Sequence, residues 1–508
     1  MDYVLGIDLG TSSVKCIILD AEANFLNVNA IQYEFDIPLI GWAEQDVIVW
    51  WESMKHAIQN TVLRSGINPL KITALSFSGQ MHGLVMIDQN GKSPHSSIIW
   101  CDQRTADIVK RSSTLEMQEF FSENTGNKLY TGFLLPSLLW IREVKPEVFE
   151  KIYKVCCPKD YLRYRLTGDI STDQTDASST LAFDVFEGKW SQNILDRFDL
   201  DKSLFPDVGL PLDFAGTLLP SVANELGLSN KCKVYFGGSD QVMQAIGNGI
   251  VDTGSVSITI GTGGQVLTVL PKYKSNPLLN VHTFNFVEKN SWYSLGATLS
   301  AGQSLKWLKE KILKKTTYQH LDQLAELKPP GSEGLLFLPY LLGERTPHSD
   351  PNASGMFFGL SLKHDNGNLI RSVLEGVAFS LKDCINILSR FDVSCDYVIA
   401  SGGGAQSRIW LQILSNILDL PIYVSKSKEQ AALGAAITAL VGAEYFDSYR
   451  EATEKAIIME DGIVEPQKTN VSLYSEYYKV YQELYQINKH VMHINPVKEH
   501  RGDNVYEL

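Results

Sequence analysis

One pattern occurs twice in this chain and narrows its fold more than any other. Tyr3 to Ile7 is an apolar run that passes through Asp8 into Gly10-Thr11-Ser12-Ser13, and Val14 to Leu19 is apolar again. Val256-Ser257-Ile258-Thr259-Ile260 leads in the same way into Gly261-Thr262-Gly263-Gly264, followed by Gln265 to Leu270. Each copy reads as strand, glycine turn, strand, with no helical period directly after the turn. The pattern predicts two β-hairpins, not the strand–turn–helix of a dinucleotide fold or a P-loop. Neither G-x-G-x-x-G nor G-x-x-x-x-G-K-[ST] occurs anywhere in the chain. Gly10 and Gly261 stand 261 − 10 = 251 residues apart, about half of 508, so the chain reads as two related halves. Because such hairpins are common, coincidence is the competing explanation. The copies differ at one informative position: Asp8 aligns with Thr259, so only the first turn carries a carboxylate.

Elsewhere strand-like and helix-like runs alternate, which indicates α/β architecture. Ile72 to Phe77 and Leu84 to Ile87 flank Ser78-Gly79-Gln80-Met81-His82-Gly83. Val234-Tyr235-Phe236 ends in Gly237-Gly238-Ser239-Asp240 ahead of a helix-like stretch from Gln241 to Gly247. Tyr397 to Ala400 enters Ser401-Gly402-Gly403-Gly404, and Ser407 to Leu418 then reads as helix. A strand, Pro421 to Val424, and a small-residue helix, Glu429 to Val441, follow. A length of 508 residues exceeds one ordinary core, and the boundary is expected near Gly247-Asn248-Gly249, giving units 1–247 and 248–508 around a cleft.

Composition excludes several classes. The formal charge is −13, which argues against a nucleic-acid partner and requires any anionic ligand to be held locally. The longest nearly apolar run, Ala431 to Ala443, is short of the roughly 20 residues a membrane span needs. The first residues show no basic segment followed by an apolar one, and the seven cysteines are scattered without Cys-x-x-Cys spacing. A reducing cytoplasm fits, and neither structural zinc nor a disulfide framework is expected. The tail from Ile487 onward reads as solvated, and Arg501-Gly502-Asp503 is given no adhesion role.

Two facing glycine hairpins can grip a polyphosphate from both sides. Bare backbone lets N–H groups approach phosphate oxygens, and Thr11, Ser12 and Thr262 add hydroxyl donors. Asp8 is suited to hold hydrated Mg²⁺. Lys15 either adds charge near the phosphates or is an outward strand residue. Gly402-Gly403-Gly404, between strand and helix, can receive a flat adenosine or serve only as a tight turn. Asp240 is the leading catalytic candidate, a base for a hydroxyl that attacks phosphorus; its ordinary alternative is a helix N-cap. A low carboxylate pKa at a helix N-terminus is expected there. Met81 and His82, bracketed by glycines, read equally as polar-ligand contacts or as packing. Trp42, Trp50 and Trp51 read either as an apolar wall for a sugar or as core.

Taken together, the motifs resemble those of the FGGY carbohydrate kinases. Ile7-Asp8-Leu9-Gly10-Thr11-Ser12, Ser78-Gly79-Gln80-Met81-His82-Gly83, Ile99-Trp100-Cys101-Asp102-Gln103-Arg104, Pro158-Lys159-Asp160-Tyr161, Gly238-Ser239-Asp240, Gly261-Thr262-Gly263, Gly343-Glu344-Arg345-Thr346-Pro347-His348 and Gly402-Gly403-Gly404-Ala405 occur in that family's order, over roughly residues 3 to 485. Gln-Met-His-Gly most favours its xylulokinase branch. The resemblance implies two actin-like ATPase (ribonuclease H-like) domains flanking a central cleft. The first would carry the sugar side and one phosphate hairpin, the second the other hairpin and the adenosine site. It implies ATP-dependent phosphorylation of a ketopentose, D-xylulose to D-xylulose 5-phosphate, with Mg²⁺; a homodimer is compatible with it. By motif, Asp240 carries over as catalytic base, Met81, His82, Asp240 and Gln241 as sugar contacts, and Asp8 as the metal or phosphate-side acid. Thr11, Thr262, Gly302, Lys306 and Gly404 fall where the family lines its nucleotide site.

The chain departs from the branch at Gln241, where xylulokinases usually have Asn and glycerol kinases Gln, and at Ser137, where Lys is common. Gly263 replaces a frequent Ser. Ribulose, gluconate or glycerol therefore stay open as acceptors, as does a non-catalytic nucleotide switch of the actin or Hsp70 type.

Overall fold

A computed structural model of the chain describes residues 1–494 except 275, 277, 279 and 315. Its framework is two mixed sheets built to one plan. The first contains β1 (Tyr3–Leu9), β2 (Ser13–Asp20), β3 (Phe25–Gln32), β4 (Ile72–Gly79), β5 (Phe214–Thr217), β6 (Lys233–Tyr235) and β7 (Gly238–Ser239). Its order is β5-β6-β4-β1-β2-β3, with β7 paired on the end of β4. The second contains β8 (Gly254–Ile260), β9 (Gly264–Leu270), β10 (His282–Asn285), β11 (Trp292–Thr298), β12 (Cys395–Ser401) and β13 (Ile422–Val424), in the order β10-β11-β9-β8-β12-β13. In each sheet an antiparallel hairpin, β1–β2 or β8–β9, lies beside a parallel neighbour, β4 or β12. The repeat in the sequence is thus a repeat in topology.

Alternation along the strands decides what each face meets. Leu5, Ile7 and Leu9 pack with α1 (Val47–Ser65) and α2 (Pro158–Thr167) in one core. Val4, Gly6 and Asp8 point to the other face. There lie α3 (Asp240–Gly247) and, from far along the chain, α7 (Gln430–Gly442). Between them in sequence come α4 (Gly302–Trp307), α5 (Asn366–Leu388) and α6 (Arg408–Leu418). In the second sheet Val256, Ile258 and Ile260 share a core with α5, α6 and α8 (Lys468–His493). Ser257 and Thr259 instead face α3: Asn248 Nδ2 donates to Ser257 Oγ and Gln244 Nε2 to Thr259 Oγ1. Helix α3 therefore lies between the two sheets, with the catalytic candidate at its first turn.

Small residues let α3 and α7 cross with their backbones in contact. A Cβ on Gly434 would lie 1.9 Å from the Met243 carbonyl oxygen, and one on Gly247 would lie 1.9 Å from that of Gln430. Gly6 admits α7 to β1 in the same way, since a Cβ there would meet the Ala432 carbonyl oxygen at 2.1 Å. The small-residue composition of 430–442 is thus a requirement of close packing.

The structure decides one alternative that the sequence left open and refines the reading of the tail. Trp50 and Trp51 are core residues under the first sheet, Trp50 donating its Nε1–H to Gln45 Oε1 at 3.1 Å. The tail is ordered past Ile487: α8 runs to His493, Met492 is buried, and His493 pairs with Asp350. Arg501 to Asp503 lie outside the described residues. Among those described, no helix is long and apolar enough to cross a membrane. All seven cysteines are free thiols.

Candidate active site

The first hairpin turn and its parallel neighbour hold a buried acid. Asp8 Oδ1 accepts a hydrogen bond from Ser78 Oγ at 2.8 Å. Burial pushes the Asp8 carboxyl above its ordinary range, partly opposed by the Lys15 ammonium. Lys15 stands opposite Asp8 in the β1–β2 ladder and pairs with Glu429 Oε2 at 2.5 Å, just before α7. It is therefore a paired, partly exposed cation rather than a free one. Thr11 is tied into a polar web: Trp100 Nε1 donates to its Oγ1 at 2.9 Å and Gln45 Nε2 to its carbonyl at 2.8 Å. Ser12 is exposed at the turn.

The second turn opens on a cavity of about 700 Å³, a size that suits a small-molecule ligand. Thr262, Gly302, Lys306, Gly403 and Gly404 line it, together with Tyr318, Asp322 and Trp410. Gly302 N donates to the Gly261 carbonyl at 2.8 Å, which joins the hairpin to the start of α4; a Cβ there would lie 2.5 Å from that oxygen. Gly402 has φ +82°, and Gly403 faces open space. The result is a bare-backbone floor beside apolar and aromatic walls. Tyr318 and Asp322 belong to the helix Tyr318–Glu326, which no motif singled out.

Asp240 opens α3 directly after β7. The cap position belongs to Ser239, and its side chain makes no capping bond, so Asp240 is not the ordinary N-cap. Its carboxyl is pushed up to about 7, first by burial and then by the charge of Asp8, with hydrogen bonds from Gln241 opposing. This overturns the expectation of a low pKa at a helix N-terminus: desolvation outweighs the helix end here. Asp240 Oδ1 is buried without a hydrogen-bond partner, while the residue as a whole keeps partial exposure. A buried acid, Asp8, whose charge raises a second one with an orphaned oxygen, fits the needs of a divalent cation. The grouping of Cys157, Asp160 and Asp176 does not, because the Lys159 ammonium already lies against both aspartates.

Met81 and His82 follow β4. Met81 is buried, with Tyr293 Oη 4.0 Å from its sulfur. His82 has φ +72°, stacks on Phe133 at 3.8 Å between centroids, and has its Nδ1 2.9 Å from the Ser179 carbonyl oxygen. Burial pushes its pKa down to about 4, with Arg345 adding to the effect. A neutral ring that donates from Nδ1 leaves Nε2 as an acceptor. Phe284 and His282 from β10 extend the ring cluster, 6.0 Å from His82 and 5.5 Å from one another respectively. They were missed by motif, although alternation places positions 282 and 284 on one face of a strand. Gln241 is partly exposed on α3 beside Asp240. Ser137 is buried within the helix Leu134–Val144.

Residues 3–247 match the model of the N-terminal domain of the FGGY family of carbohydrate kinases, and residues 256–443 that of its C-terminal domain. The chain is 36% identical over 489 residues to a xylulose kinase of Staphylococcus epidermidis, covering 96% of this chain and 97% of that one. It is 35% identical over 493 residues to a xylulose kinase of Bacillus subtilis, with 96% and 98% covered. A solved structure of a xyloylose kinase from Brucella ovis superposes with TM-score 0.91 at 32% identity, over 96% of this chain and 100% of that chain.

Proposed function

The chain belongs to the FGGY family of carbohydrate kinases, and from that premise we propose that it transfers the γ-phosphoryl group of ATP to D-xylulose, giving D-xylulose 5-phosphate and ADP. The observation that carries the mechanism is Asp240, a carboxyl with an unpartnered oxygen, raised to about 7, between an acidic hairpin and a bare-backbone cavity. ATP lies with its nucleoside in the cavity of Gly302, Lys306, Gly403 and Gly404. Its phosphates extend toward Thr262 on one side and Thr11 and Ser12 on the other. The sugar lies against Met81, His82 and Gln241, with His82 Nε2 accepting a hydrogen bond from a sugar hydroxyl.

Asp240 orients the attacking hydroxyl and takes its proton as the new O–P bond forms and the bond from the γ-phosphorus to the β,γ-bridging oxygen breaks. In a loose transition state this transfer comes late, so alignment counts for more than base strength. Asp8 would hold Mg²⁺, which when bound screens the phosphate charge and so eases the approach of the nucleophile. Asp8 is kept in register by Ser78. The ring cluster around His82 supplies an apolar wall against the sugar face.

Two measurements test the reading. Asp240→Asn should lower kcat by about 10³-fold or more while ATP affinity stays within about twofold, because no nucleoside contact is touched. Near-normal turnover would remove Asp240 from its role. A panel of D-xylulose, D-ribulose, gluconate and glycerol in an ADP-release assay tests the acceptor; higher kcat/KM for any other member would replace D-xylulose.

A further inference from the structure

The residues assigned above to the acid and to the sugar come from different parts of the chain, yet one short segment holds both. Thr175 Oγ1 accepts the backbone N–H of Ser239 at 2.8 Å, immediately before Asp240. The same hydroxyl donates to Asp173 Oδ1 at 2.5 Å. Four residues further on, the Ser179 carbonyl takes the Nδ1–H of His82 at 2.9 Å. Asp173, the short helix Gln174–Ala177 and the turn Ser178–Thr180 thus touch both walls of the proposed acceptor site.

That segment is fixed from beneath by a fully buried ammonium. Lys159 Nζ lies 2.5 Å from Asp173 Oδ2, 2.9 Å from Asp176 Oδ2 and 2.7 Å from Asp160 Oδ1. Its stem also supports the floor of the site: a Cβ on Gly79, the residue before Gln80-Met81-His82, would lie 2.7 Å from Lys159 Cβ. A Cβ on Gly238 would lie 2.9 Å from Thr175 Oγ1. Both strand ends that carry the site, β4 and β7, therefore rest on this cluster, paired as Gly238 with Ser78 and Ser239 with Gly79. An ammonium among three carboxylates is a costly thing to bury, and it is retained where it fixes geometry that a neutral core would leave free.

We infer that Lys159 and Thr175 are positioning residues for phosphoryl transfer: Lys159 pins the 173–180 segment, and Thr175 and the Ser179 carbonyl set the separation of Asp240 from His82. The inference rests on Asp240 being the acid that receives the proton. A displacement of about 1 Å in such a group is enough to lose on the order of 10²-fold in rate.

The two links can be cut separately. Thr175→Val removes the acceptor for Ser239 and the hydroxyl donor to Asp173 Oδ1, but leaves His82 on Ser179 and the contacts of Lys159 with Asp160, Asp173 and Asp176. It should lower kcat by about 10- to 100-fold with the sugar KM within about twofold, and Thr175→Ser should restore most of the loss. Lys159→Met loosens both links and should lower kcat and raise the sugar KM together; if that variant does not fold, the Thr175 pair alone decides. An unchanged kcat in Thr175→Val, or a loss that Thr175→Ser does not recover, overturns the inference. Asp240→Asn in the same assay separates the premise from the inference. Inactive Asp240→Asn beside fully active Thr175→Val defeats the positioning role alone, whereas active Asp240→Asn defeats the premise on which it stands.

Discussion

The two sheets carry equivalent strand ends and equip them in opposite ways. In the first, Asp8 is paired in parallel register with Ser78, and the chain continues as Gly79-Gln80-Met81-His82. In the second, Thr259 is paired with Ser401, and the chain continues as Gly402-Gly403-Gly404-Ala405. The hydrogen bonds match as well: Ser78 Oγ to Asp8 Oδ1 is 2.8 Å, and Thr259 Oγ1 to Ser401 Oγ is 2.9 Å. One end keeps a charge and long side chains, which a polyhydroxylated acceptor needs for orientation. The other is neutral and bare, which lets a flat nucleoside and its phosphates approach the backbone. A second carboxylate at position 259 would face the phosphate tail with no cation of its own. On the proposed function, this asymmetry is a division of labour between acceptor and donor on a common scaffold.

Converting the first end into a copy of the second should have the largest effect. Asp8→Thr, with Asp8→Asn as the milder change, is expected to lower kcat by on the order of 10²-fold. Stability should not fall with it. The folded state raises the Asp8 pKa, so it holds the proton more firmly than the unfolded chain does. The resulting penalty is absent below the unfolded pKa and complete above the folded one, which leaves it in force at neutral pH. Thermal unfolding of Asp8→Asn should therefore come no earlier than that of the parent chain, while turnover collapses. Equal loss of Tm and of activity would mean that Asp8 is structural and that the asymmetry has no catalytic meaning.

An intermediate effect is expected from side chains added to the bare end. A Cβ at Gly403 meets nothing within 4 Å and projects into the cavity, whereas one at Gly404 would lie 2.3 Å from Ile260 Cγ2. Gly403→Ala should raise the KM for ATP several-fold with Tm unchanged. Gly404→Ala should cost about 1–3 kcal/mol of stability, read from urea unfolding. If the two behave alike, the strip is merely a turn and not the floor of a nucleotide site.

How much of this was legible depends on which constraint wrote each residue. The hairpins and glycine strips stood out because close backbone approach and φ > 0 admit almost only glycine, and alternation marks strands. Asp240 stood out because Gly-Gly-Ser-Asp at a strand–helix junction is a local pattern. Its raised pKa did not, since that depends first on burial and then on Asp8, far away in sequence. Phe133 meets His82 from a distant stretch of the same half, Phe284 meets it from the other half with His282 behind, and Tyr318 enters the cavity from a helix whose pattern reads as ordinary amphipathicity. The covering of the first sheet by α7 was invisible for the same reason: a small-residue helix announces close packing but not its partner.

The smallest expected effect comes from Lys15, a further difference between the hairpins, since β9 carries Gln265 at the equivalent place opposite Thr259. Its pair with Glu429 is partly exposed, 30% on each side chain, so Lys15→Gln should cost about 0.2–1 kcal/mol in urea unfolding. Lys15 also lowers the Asp8 pKa, so its removal should send that carboxyl further up. Ionised Asp8 then persists only at higher pH, and the acid limb of kcat/KM should shift upward. Well above that limb, kcat should fall by less than about threefold, because Lys15 acts on Asp8 and not on phosphate. A loss at high pH as large as that of Asp8→Thr would instead make Lys15 a direct phosphate ligand, and the first hairpin would then differ from the second by a cation as well as by an acid.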